Sequence, residues 1–535
     1  MINMLADHSL RTMVDNRRTE NSGREYDDVF DHVKSFGRYQ VILYVLVSLY
    51  IFPITSQFAM LIFATGTPGF HCVTSNVTCP KKQCCDGCTS YVFDGPFDSV
   101  VSEWKLICDR AYLGATIQAC FFGGMCVGSF LTGMLSDAWG RKNCIFFCNA
   151  ILLLSGVGSA LVDCISFFAF LRFLVGFGTA GTMLTLYVYG MELVGPKFRT
   201  AVGNAVYIYF NVLAMITALI SYLIPSWRIL IIVTTSPAVL LFVFWKCIPE
   251  SPRWLVAHGQ LEQGANEIRK YGAKDGGPVD DTILRSLLEE VRSEQIKANE
   301  ENKKYTSIDL LRTPKIRKWS VIVCYEWFAV SLVSFGILLF MTQLSGDIYL
   351  NYIVTRIAAT IRVPFTYIIY LKFGRRVPNG VIMIVIGVSL LLVLPVYKDV
   401  PTATTALTLI GIILCDFSWT GIYLITAELF PTILRNTAQG TGSTAARIGG
   451  IIAPYIAMMG QLPGLSIAFP TTILGCVAIL GGILMYWIPE TLFSPMHQTV
   501  QQTEDAKEDF DIPCCGRKLP LDHNDNTEYR IVTRM

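Results

Sequence analysis

Charged residues stand inside long apolar runs of this sequence, mostly in its second half. A charge in the hydrocarbon of a membrane costs about 2.5–3.5 kcal/mol on insertion scales, so each one needs a partner or a function. The first half has almost none apart from Arg172. This asymmetry places the polar wall of any central cavity on the second half. The charged residues there are Glu326, Arg356, Arg362, Asp416 and Arg447.

Arg447 is the most informative of these charges. It lies about ten residues into its apolar run, roughly 15 Å along a helix and therefore near mid-membrane. A guanidinium offers a two-pronged donor to a carboxylate or sulfate, and it stays protonated. A site faced by both Arg447 and Arg362 would be cationic and would favour an organic anion.

A permanent ion pair is the alternative for Arg447, with Glu326 or Asp416 as its partner and without any substrate contact. Three arginines against two acids leave one positive charge over, which favours anion binding. Arg356 and Arg362 are six residues apart, so about 120° separates them around a helix. They cannot both face one small ligand, and Arg356 is the better candidate for a paired or gate residue.

Aromatic side chains occur where they could form the apolar walls that a drug-sized ligand needs. Helix packing is the alternative for each of them taken singly. An aromatic box could also hold a cation through its ring faces, so these residues do not fix the sign of the substrate charge. The candidates are Tyr187, Trp327, Phe335, Trp419 and Tyr423.

The elements that must position these residues are membrane-spanning helices. Of the 535 residues, 52% are hydrophobic and only 16% are charged, against about 25% charged in a soluble domain. The net charge of +2 gives no indication of nucleic acid as a partner. The apolar runs of about 20 residues are long enough to cross a hydrocarbon core of roughly 30 Å as helices in a lipid bilayer. We predict an all-α membrane protein with twelve transmembrane helices at 41–63, 111–134, 143–163, 167–190, 202–224, 227–248, 319–342, 347–371, 378–397, 402–427, 437–460 and 466–488.

Three short motifs occur twice, nearly one half-length apart. DAWGRK (137–142) is echoed by LKFGRR (371–376), MELVGPKFR by AELFPTILR, and IPES (248–251) by IPET (488–491). The offsets between the copies are 234, 236 and 240 residues. A nearly constant offset predicts two six-helix halves related by pseudo-symmetry. Parallel half-repeats with a binding site at their interface are typical of secondary transporters.

Basic residues in the short loops predict the orientation of the chain. They are concentrated between runs 2 and 3, 4 and 5, 8 and 9, and 10 and 11, which by the positive-inside rule puts both termini in the cytosol. The polar N-terminus contains no cleavable signal peptide. The predicted order is a cytosolic N-terminus (1–40), an N-terminal six-helix bundle (41–248), a cytosolic linker with short helices (249–318), a C-terminal six-helix bundle (319–488) and a cytosolic tail (489–535).

A long polar loop at 64–110 lies on the opposite side in this topology. Its six cysteines, in an oxidising compartment, predict three disulfides with fifteen possible pairings. A zinc site is the alternative, because Cys85-Asp-Gly-Cys88 has metal-ligand spacing, but no histidine pair follows it; we predict no metal. Asn76 begins a glycosylation sequon in this loop. The cysteines are Cys72, Cys79, Cys84, Cys85, Cys88 and Cys108.

Several motifs identify a family. GMLSDAWGRK (133–142) resembles the loop motif of the major facilitator superfamily, although Ala138 stands where a basic residue is usual and Leu371 replaces the acid in the second copy. YDDVFDHVKSFGRYQ, VSEWKLICD, PESPRWL and AELFPTILRN resemble the organic ion transporter branch, the solute carrier twenty-two family. The resemblance runs from about residue 26 to 495 and implies the major facilitator fold.

The resemblance also implies a substrate site. The position of Arg447 tends to be acidic in cation carriers of this branch and Arg in anion carriers, which places the chain closer to the organic anion transporters. Arg362 lies near a charged position of the eighth helix, which in relatives is usually an acid. Anion carriers often have a Tyr pair where this chain has Ser334-Phe335. By position, Tyr187, Trp327, Phe335 and Tyr423 resemble cavity aromatics of the family.

Gating is the function that the repeated charged motifs imply. Ion pairs between groups at the cytosolic rims can latch the two halves when that side is closed, and each exposed pair contributes only about 0–1 kcal/mol, so a latch needs several. The alternative is that these residues merely anchor helices at the headgroups. The candidates are Asp137, Arg141, Lys142, Glu192 and Arg199 in the first half and Arg375, Arg376, Glu428 and Arg435 in the second.

The sequence therefore predicts a secondary-active, alternating-access transporter of small organic anions in the plasma membrane. No GxxxxGK[ST] loop is present to use ATP, so a solute gradient would supply the energy, with an exchanged counter-solute or a proton as candidate partner. We predict no cofactor and no enzyme activity, because no Ser/His/Asp set occurs. Two alternatives stay open: an organic cation or carnitine-like zwitterion as substrate, and a non-transporting receptor or scaffold.

Overall fold

The computed structural model of the protein is built almost entirely of helices. It describes residues 26–73, 82–85, 87–88, 90–273, 280–301, 306–397, 399–492, 494, 499–506, 508, 510, 518–519 and 530–531. Two predicted site residues, Asn76 and Cys79, lie outside the described residues.

Apart from the long loop between residues 63 and 100, the helices follow one another with mostly short connections. In chain order they are α1 (Arg38–Ser48), α2 (Ile51–Phe63), α3 (Val100–Glu103), α4 (Ala111–Trp139), α5 (Arg141–Ala160), α6 (Ile165–Glu192), α7 (Pro196–Leu223), α8 (Trp227–Thr235), α9 (Val239–Val243), α10 (Pro252–Ala257), α11 (Leu261–Arg269), α12 (Asp281–Glu301), α13 (Pro314–Phe340), α14 (Ile348–Phe373), α15 (Arg376–Val396), α16 (Pro401–Leu429), α17 (Thr432–Met458), α18 (Phe469–Leu484) and α19 (Val500–Asp505). Two short antiparallel strand pairs join β1 (Phe70–Cys72) to β2 (Tyr91–Phe93) and β3 (Lys518–Leu519) to β4 (Arg530–Ile531).

Within the described ranges, ten helical segments are long and apolar enough to cross a membrane, and they correspond to ten of the twelve predicted runs. They are Arg38–Phe63, Cys108–Trp139, Arg141–Ala160, Ile165–Glu192, Pro196–Leu223, Pro314–Gln343, Ile348–Phe373, Arg376–Val396, Pro401–Leu429 and Phe469–Trp487. The two remaining runs are also helical, but one is interrupted and the other is polar.

The interruption falls in run 227–248, where a 3-10 turn at Ser236–Ala238 separates α8 from α9. Pro237 has no backbone N–H, so it ends the α-helical hydrogen-bond ladder there. Run 437–460 lies in α17, a continuous helix of 27 residues, and in the first two residues of the 3-10 turn that follows it. The threonines, serine and glycines of its first half lower its hydropathy, as suits a helix that faces a polar cavity rather than lipid.

Glycines let helices approach closely within each half. In the first half, a Cβ on Gly176 of α6 would overlap the carbonyl oxygen of Phe121 on α4. In the second half, a Cβ on Gly387 of α15 would lie 2.6 Å from the carbonyl oxygen of Gly475 on α18. Such small-residue contacts give the van der Waals packing that holds helices together in lipid.

The two ends of the molecule are here called the loop side, which carries β1 and β2, and the linker side, which carries α10 to α12. The halves meet along α4 with α17 and along α7 with α14, two pairs that the duplication makes equivalent.

Aromatic rings close the space between the halves on the loop side. The ring of Phe335 lies 4.6 Å from that of Phe122 and 6.4 Å from that of Phe58, and Tyr349 stacks on Phe63 at 5.2 Å. The loop side is therefore closed.

Candidate functional site

Arg447 lies at the middle of α17, about fifteen residues after its first residue. Its guanidinium interacts electrostatically with Tyr423 on α16 and with Cys126 on α4, across the boundary between the halves. Its Nε is buried without a hydrogen-bond partner in the described part of the chain. The side chain is thus a cation with no carboxylate paired to it among the described residues.

The two acids that were expected to compete for Arg447 are engaged elsewhere. Asp416 Oδ2 lies 3.6 Å from Arg362 Nε. Glu326 is 0% exposed and accepts a hydrogen bond from Asn379 Nδ2 at 3.2 Å. The permanent ion pair considered for Arg447 is therefore not the arrangement that the structure contains.

Arg362 projects from α14 against the face of α16. Its Nη1 donates to Thr420 Oγ1 at 3.3 Å and to Thr366 Oγ1 at 3.4 Å, and its guanidinium lies 5.6 Å from the ring centre of Phe417. Together with Asp416 it forms a polar wall whose two charges cancel. The net charge that remains for a ligand comes from Arg447.

Three tyrosines from three helices surround the same space. Tyr423 of α16 is 44% exposed and Tyr187 of α6 is 42% exposed, and the two interact electrostatically. Tyr207 of α7 interacts with both of them and with Arg362. Sequence reasoning missed Tyr207, and nothing in the sequence distinguishes it from the other tyrosines of the run 202–224, which are Tyr209 and Tyr222.

Trp327 and Phe335 take other positions than the cavity surface. Trp327 is only 1% exposed; its Nε1 donates to Thr426 Oγ1 at 3.0 Å and its ring meets Tyr423 edge-on at 4.4 Å. It therefore supports Tyr423 from behind. Phe335 belongs to the aromatic rings that close the loop side. Arg356 also lies apart, with its guanidinium 5.2 Å from the ring centre of Tyr352.

The predicted binding residues thus fall into two groups. One group lies close together at the boundary between the halves, and the space that it faces is here called the cavity: Arg447, Arg362, Asp416, Tyr187 and Tyr423. Glu326 faces α15 and α18 instead, where its Oε2 would lie 2.5 Å from a Cβ on Gly481. Glu326 is fully buried there, so this structure does not expose its carboxylate to a ligand.

Several gate residues of the first half form a cluster of charges at its linker-side end, around Arg141. This cluster, and its counterpart around Arg375 in the second half, are here called the corners. Arg141 Nη1 lies 2.7 Å from Asp137 Oδ1, and its Nη2 lies 3.1 Å from Glu192 Oε1. Glu250, which follows α9, accepts hydrogen bonds from the backbone N–H of Arg141 at 2.8 Å and of Lys142. Burial raises the pKa of Glu250, and these backbone donors oppose that rise.

The second half repeats this corner. Arg375 Nη2 lies 3.1 Å from Glu428 Oε1, and Glu490 accepts hydrogen bonds from the backbone N–H of Arg375 at 2.8 Å and of Arg376 at 3.2 Å. The carboxylates Glu250 and Glu490 were not predicted as functional residues, although the repeated IPES and IPET motifs contained the signal. Each one caps the N-terminus of a membrane-spanning helix.

Among the described residues, the ion pairs recorded for the gate residues lie within a half or between a half and its adjoining segment. Arg199 holds Asp27 of the N-terminal segment, with Nη2 to Oδ1 at 2.6 Å, and this hydrogen-bonded pair lowers the pKa of Asp27. Lys142 Nζ lies 4.8 Å from the ring centre of Trp245, and Arg376 stands over Phe510 at 5.2 Å. Arg435 donates to Thr432 Oγ1 at 3.5 Å. The latch between the halves that the motifs implied is therefore not formed by these pairs in this state.

Disulfides tie the loop at 64–110 together. Cys72 pairs with Cys88 and Cys84 pairs with Cys108, with Cα–Cα distances of 6.1 and 5.6 Å. Cys85 is also disulfide-bonded. The sulfurs of Cys72, Cys85 and Cys88 lie within 4.8 Å of one another, but oxidised sulfurs do not offer the thiolates that zinc requires. The zinc alternative therefore does not fit this loop.

Comparisons with known proteins agree with this architecture. A family model described as sugar (and other) transporter matches residues 59–501. The organic cation transporter protein of Drosophila melanogaster is 30% identical to this chain and covers 90% of it and 94% of its own length. Solute carrier family 22 member 6-B of Xenopus laevis is 28% identical, covering 93% and 98%. The organic cation/carnitine transporter 2 of Homo sapiens is 30% identical, covering 79% and 74%.

Solved structures show the same fold. The inward open conformation of the xylose transporter XylE from E. coli superimposes with a TM-score of 0.61 at 15% identity, covering 84% of this chain and 96% of that one. These proteins are transporters rather than enzymes, as the sequence predicted. The chain belongs to the sugar (and other) transporter family, with the major facilitator fold, and within it to the solute carrier family 22 organic ion transporters of membranes.

Proposed function

We propose that this protein is a secondary-active transporter whose substrates are small organic anions, bound by Arg447 between the two halves. The observation that carries the proposal is the unpaired guanidinium of Arg447 at mid-helix, with both nearby acids engaged by other groups. The Arg447 side chain is half-buried, and its buried Nε has no hydrogen-bond partner among the described residues; a cation that is partly removed from water without a counter-charge is costly. A carboxylate or sulfate of the substrate would supply that counter-charge, and alternating exposure of the site to the two sides would move it.

The tyrosines complete the proposed recognition. Tyr423 lies next to Arg447, and Tyr187 lies beside Tyr423. Their rings and hydroxyl donors suit an anion carried on an aromatic or aliphatic body. The Arg362–Asp416 pair adds no net charge, so the cavity as a whole is complementary to one negative charge.

Uptake into vesicles or oocytes tests the sign of the charge. We expect an aromatic monocarboxylate to accumulate and Arg447→Ala to raise its KM by about tenfold to a hundredfold, the value of one charge-assisted hydrogen-bonding contact. Arg356→Ala is the matched control, because it removes an intramembrane arginine that lies away from the cavity. If Arg447→Ala takes up the carboxylate normally at equal surface expression, the proposal that Arg447 binds an anionic substrate is refuted.

A cation or zwitterion is the second candidate substrate. Asp416 favours it, since the carboxylate has only a 3.6 Å contact to Arg362, and two of the relatives carry cation in their names. A quaternary amine in the same uptake assay separates the two. If only the amine accumulates, and Asp416→Asn abolishes its uptake while Arg447→Ala does not, the substrate is a cation. No uptake of either probe would favour the receptor or scaffold alternative.

The orientation and location follow from the same proposal. The disulfides fit an oxidising exterior on the loop side, and the basic loop residues fit a cytosolic linker side with both termini there. We place the transporter in the plasma membrane, with Asn76 as a glycan acceptor, and with a counter-solute or proton as coupling partner. Glycosidase treatment of intact cells, compared with Asn76→Gln, tests this side assignment.

A further inference from the structure

A short stretch of the disulfide-bonded loop, residues 82–85, reaches from the first half across to the second. Lys82 Nζ donates to the carbonyl oxygen of Thr342 at 2.8 Å. The backbone N–H of Cys84 donates to the carbonyl oxygen of Gln461 at 3.0 Å. Gln83 Nε2 donates to the carbonyl oxygens of Leu462 and Leu465. Three successive residues thus contact the opposite half.

The second half presents two helix ends to this stretch. Helix α13 ends in a 3-10 turn at Met341–Gln343, and α17 ends in a 3-10 turn at Met459–Gln461. Carbonyl groups at a helix C-terminus lack intrahelical donors and attract cations, which explains why an ammonium and two N–H donors settle on them. Gln461 also reaches back, since its Nε2 donates to Thr67 Oγ1 of the first half at 3.0 Å.

The loop holds the stretch in position on its own side. The disulfide between Cys84 and Cys108 anchors it to the turn that precedes α4. The backbone N–H of Lys82 donates to the carbonyl oxygen of Phe70 at the start of β1, at 2.9 Å. Burial lowers the pKa of Lys82, as expected for an ammonium that is held against a carbonyl away from water.

We propose that Lys82, Gln83 and Cys84, with Gln461 as their main partner, are the loop-side gate of this transporter. The proposal rests on the alternating exposure proposed above. When the loop side opens, the ends of α13 and α17 must leave the first half, and all of these contacts must break. The loop is therefore part of the moving machinery: the stretch holds the loop side closed while the linker-side ion pairs stay within their halves.

Hydrogen exchange of the purified full-length protein tests the gate without any substrate. In Lys82→Met, which keeps the apolar stem and removes the ammonium, we expect exchange at the loop-side ends of α13 and α17 to rise about 2- to 10-fold, as for the loss of one such hydrogen bond. Exchange at the linker-side ends of α6 and α16 should fall at the same time. Lys105→Met, at an exposed lysine of the same loop, should change neither.

Opposite changes on the two sides are the signature of a shifted equilibrium between states. Faster exchange on both sides would refute the gate and leave Lys82 as a folding residue. Unchanged exchange on both sides would refute the gate as well, because the Lys82 contact would then be dispensable. Gln461→Leu changes the second half and leaves the sequence of the disulfide loop intact. The proposal requires this variant, too, to raise exchange on the loop side and lower it on the linker side. The result is independent of substrate charge: failed anion uptake leaves the exchange pattern intact, and a failed gate leaves the effect of Arg447→Ala intact.

Discussion

The two halves of this transporter share one structural corner and differ in their interior charges. In both, a glycine with positive φ precedes the basic residues, Gly140 at +96° and Gly374 at +84°. In both, the following arginine meets a carboxylate at 3.1 Å. A hydroxyl also donates to that carboxylate, from Ser251 at 2.5 Å in one half and from Thr491 at 2.6 Å in the other.

The interiors do not repeat in this way. The buried arginine of the first half, Arg172, donates to the neutral amide oxygen of Gln57 at 3.1 Å. The second half instead carries Arg447 and the Arg362–Asp416 pair on the cavity. The two halves therefore share the residues that stabilise each bundle at its linker-side end, and they differ in the charged residues that face a ligand. This difference between the halves explains why the charges inside apolar runs of the sequence are concentrated in the second half.

Among the substitutions in the two corners, removal of the arginines is expected to lower the free energy of unfolding most. Arg375→Ala leaves the nearly buried Glu428 without its cation and should lower the free energy of unfolding by about 3–5 kcal/mol. Arg141→Ala should act in the same direction and by a similar amount, because its partner Glu192 is at least as buried as Glu428. Thermal unfolding in detergent measures both, with the exposed Lys372→Ala as control. Unchanged Tm values for both arginine variants would mean that the corners do not stabilise the halves.

The corner glycines should be equivalent to each other. A Cβ on Gly140 or on Gly374 would collide with the carboxylate of Glu250 or Glu490, and positive φ strains any residue with a side chain. We expect Gly140→Ala and Gly374→Ala each to cost about 1–3 kcal/mol, measured by the same unfolding assay. A large loss of unfolding free energy for only one of the two variants would contradict the structural equivalence of the two corners.

The lost acid of the second half should matter little for stability. Asp137 is mostly exposed in its i,i+4 pair with Arg141, and Leu371 stands at the equivalent place. Leu371→Asp should add about 0.3–0.5 kcal/mol through a new pair with Arg375. A double-mutant cycle with Arg375→Ala isolates that coupling. Coupling well above 1 kcal/mol would show that this position is more than a surface pair.

Acid should release the N-terminal segment from the first half. Arg199 lowers the pKa of Asp27, so the pair stabilises docking above the unfolded-state pKa of about 3.9 and loses that contribution as the pH falls through the folded-state pKa. The protection factors of residues 26–33 against hydrogen exchange should therefore fall only at strongly acidic pH. Arg199→Ala should show fast exchange already at pH 7. Equal exchange in both proteins at pH 7 would rule out this anchor.

Sequence predicted the helices and the duplication well, because apolar length and motif spacing are local properties. It could not predict which way each side chain points. Consecutive residues on a helix point about 100° apart, and on α13 Glu326 turns toward Asn379 and Trp327 toward Tyr423. The sequence does not show which of these two directions meets the cavity. The pairing of Asp416 with Arg362 depends likewise on the rotation of two helices. Helix rotation is set by packing between distant segments, which a single sequence does not encode visibly.

Binding of charged probes to a charge-reversed cavity tests the central claim most directly. Purified protein and its Arg447→Asp variant are titrated with an aromatic monocarboxylate and with a quaternary amine. We predict that the wild type binds the carboxylate more tightly, and that Arg447→Asp loses it and gains affinity for the amine. Undiminished carboxylate binding by a folded Arg447→Asp protein would contradict the account, because the charge that selects the substrate would then lie elsewhere.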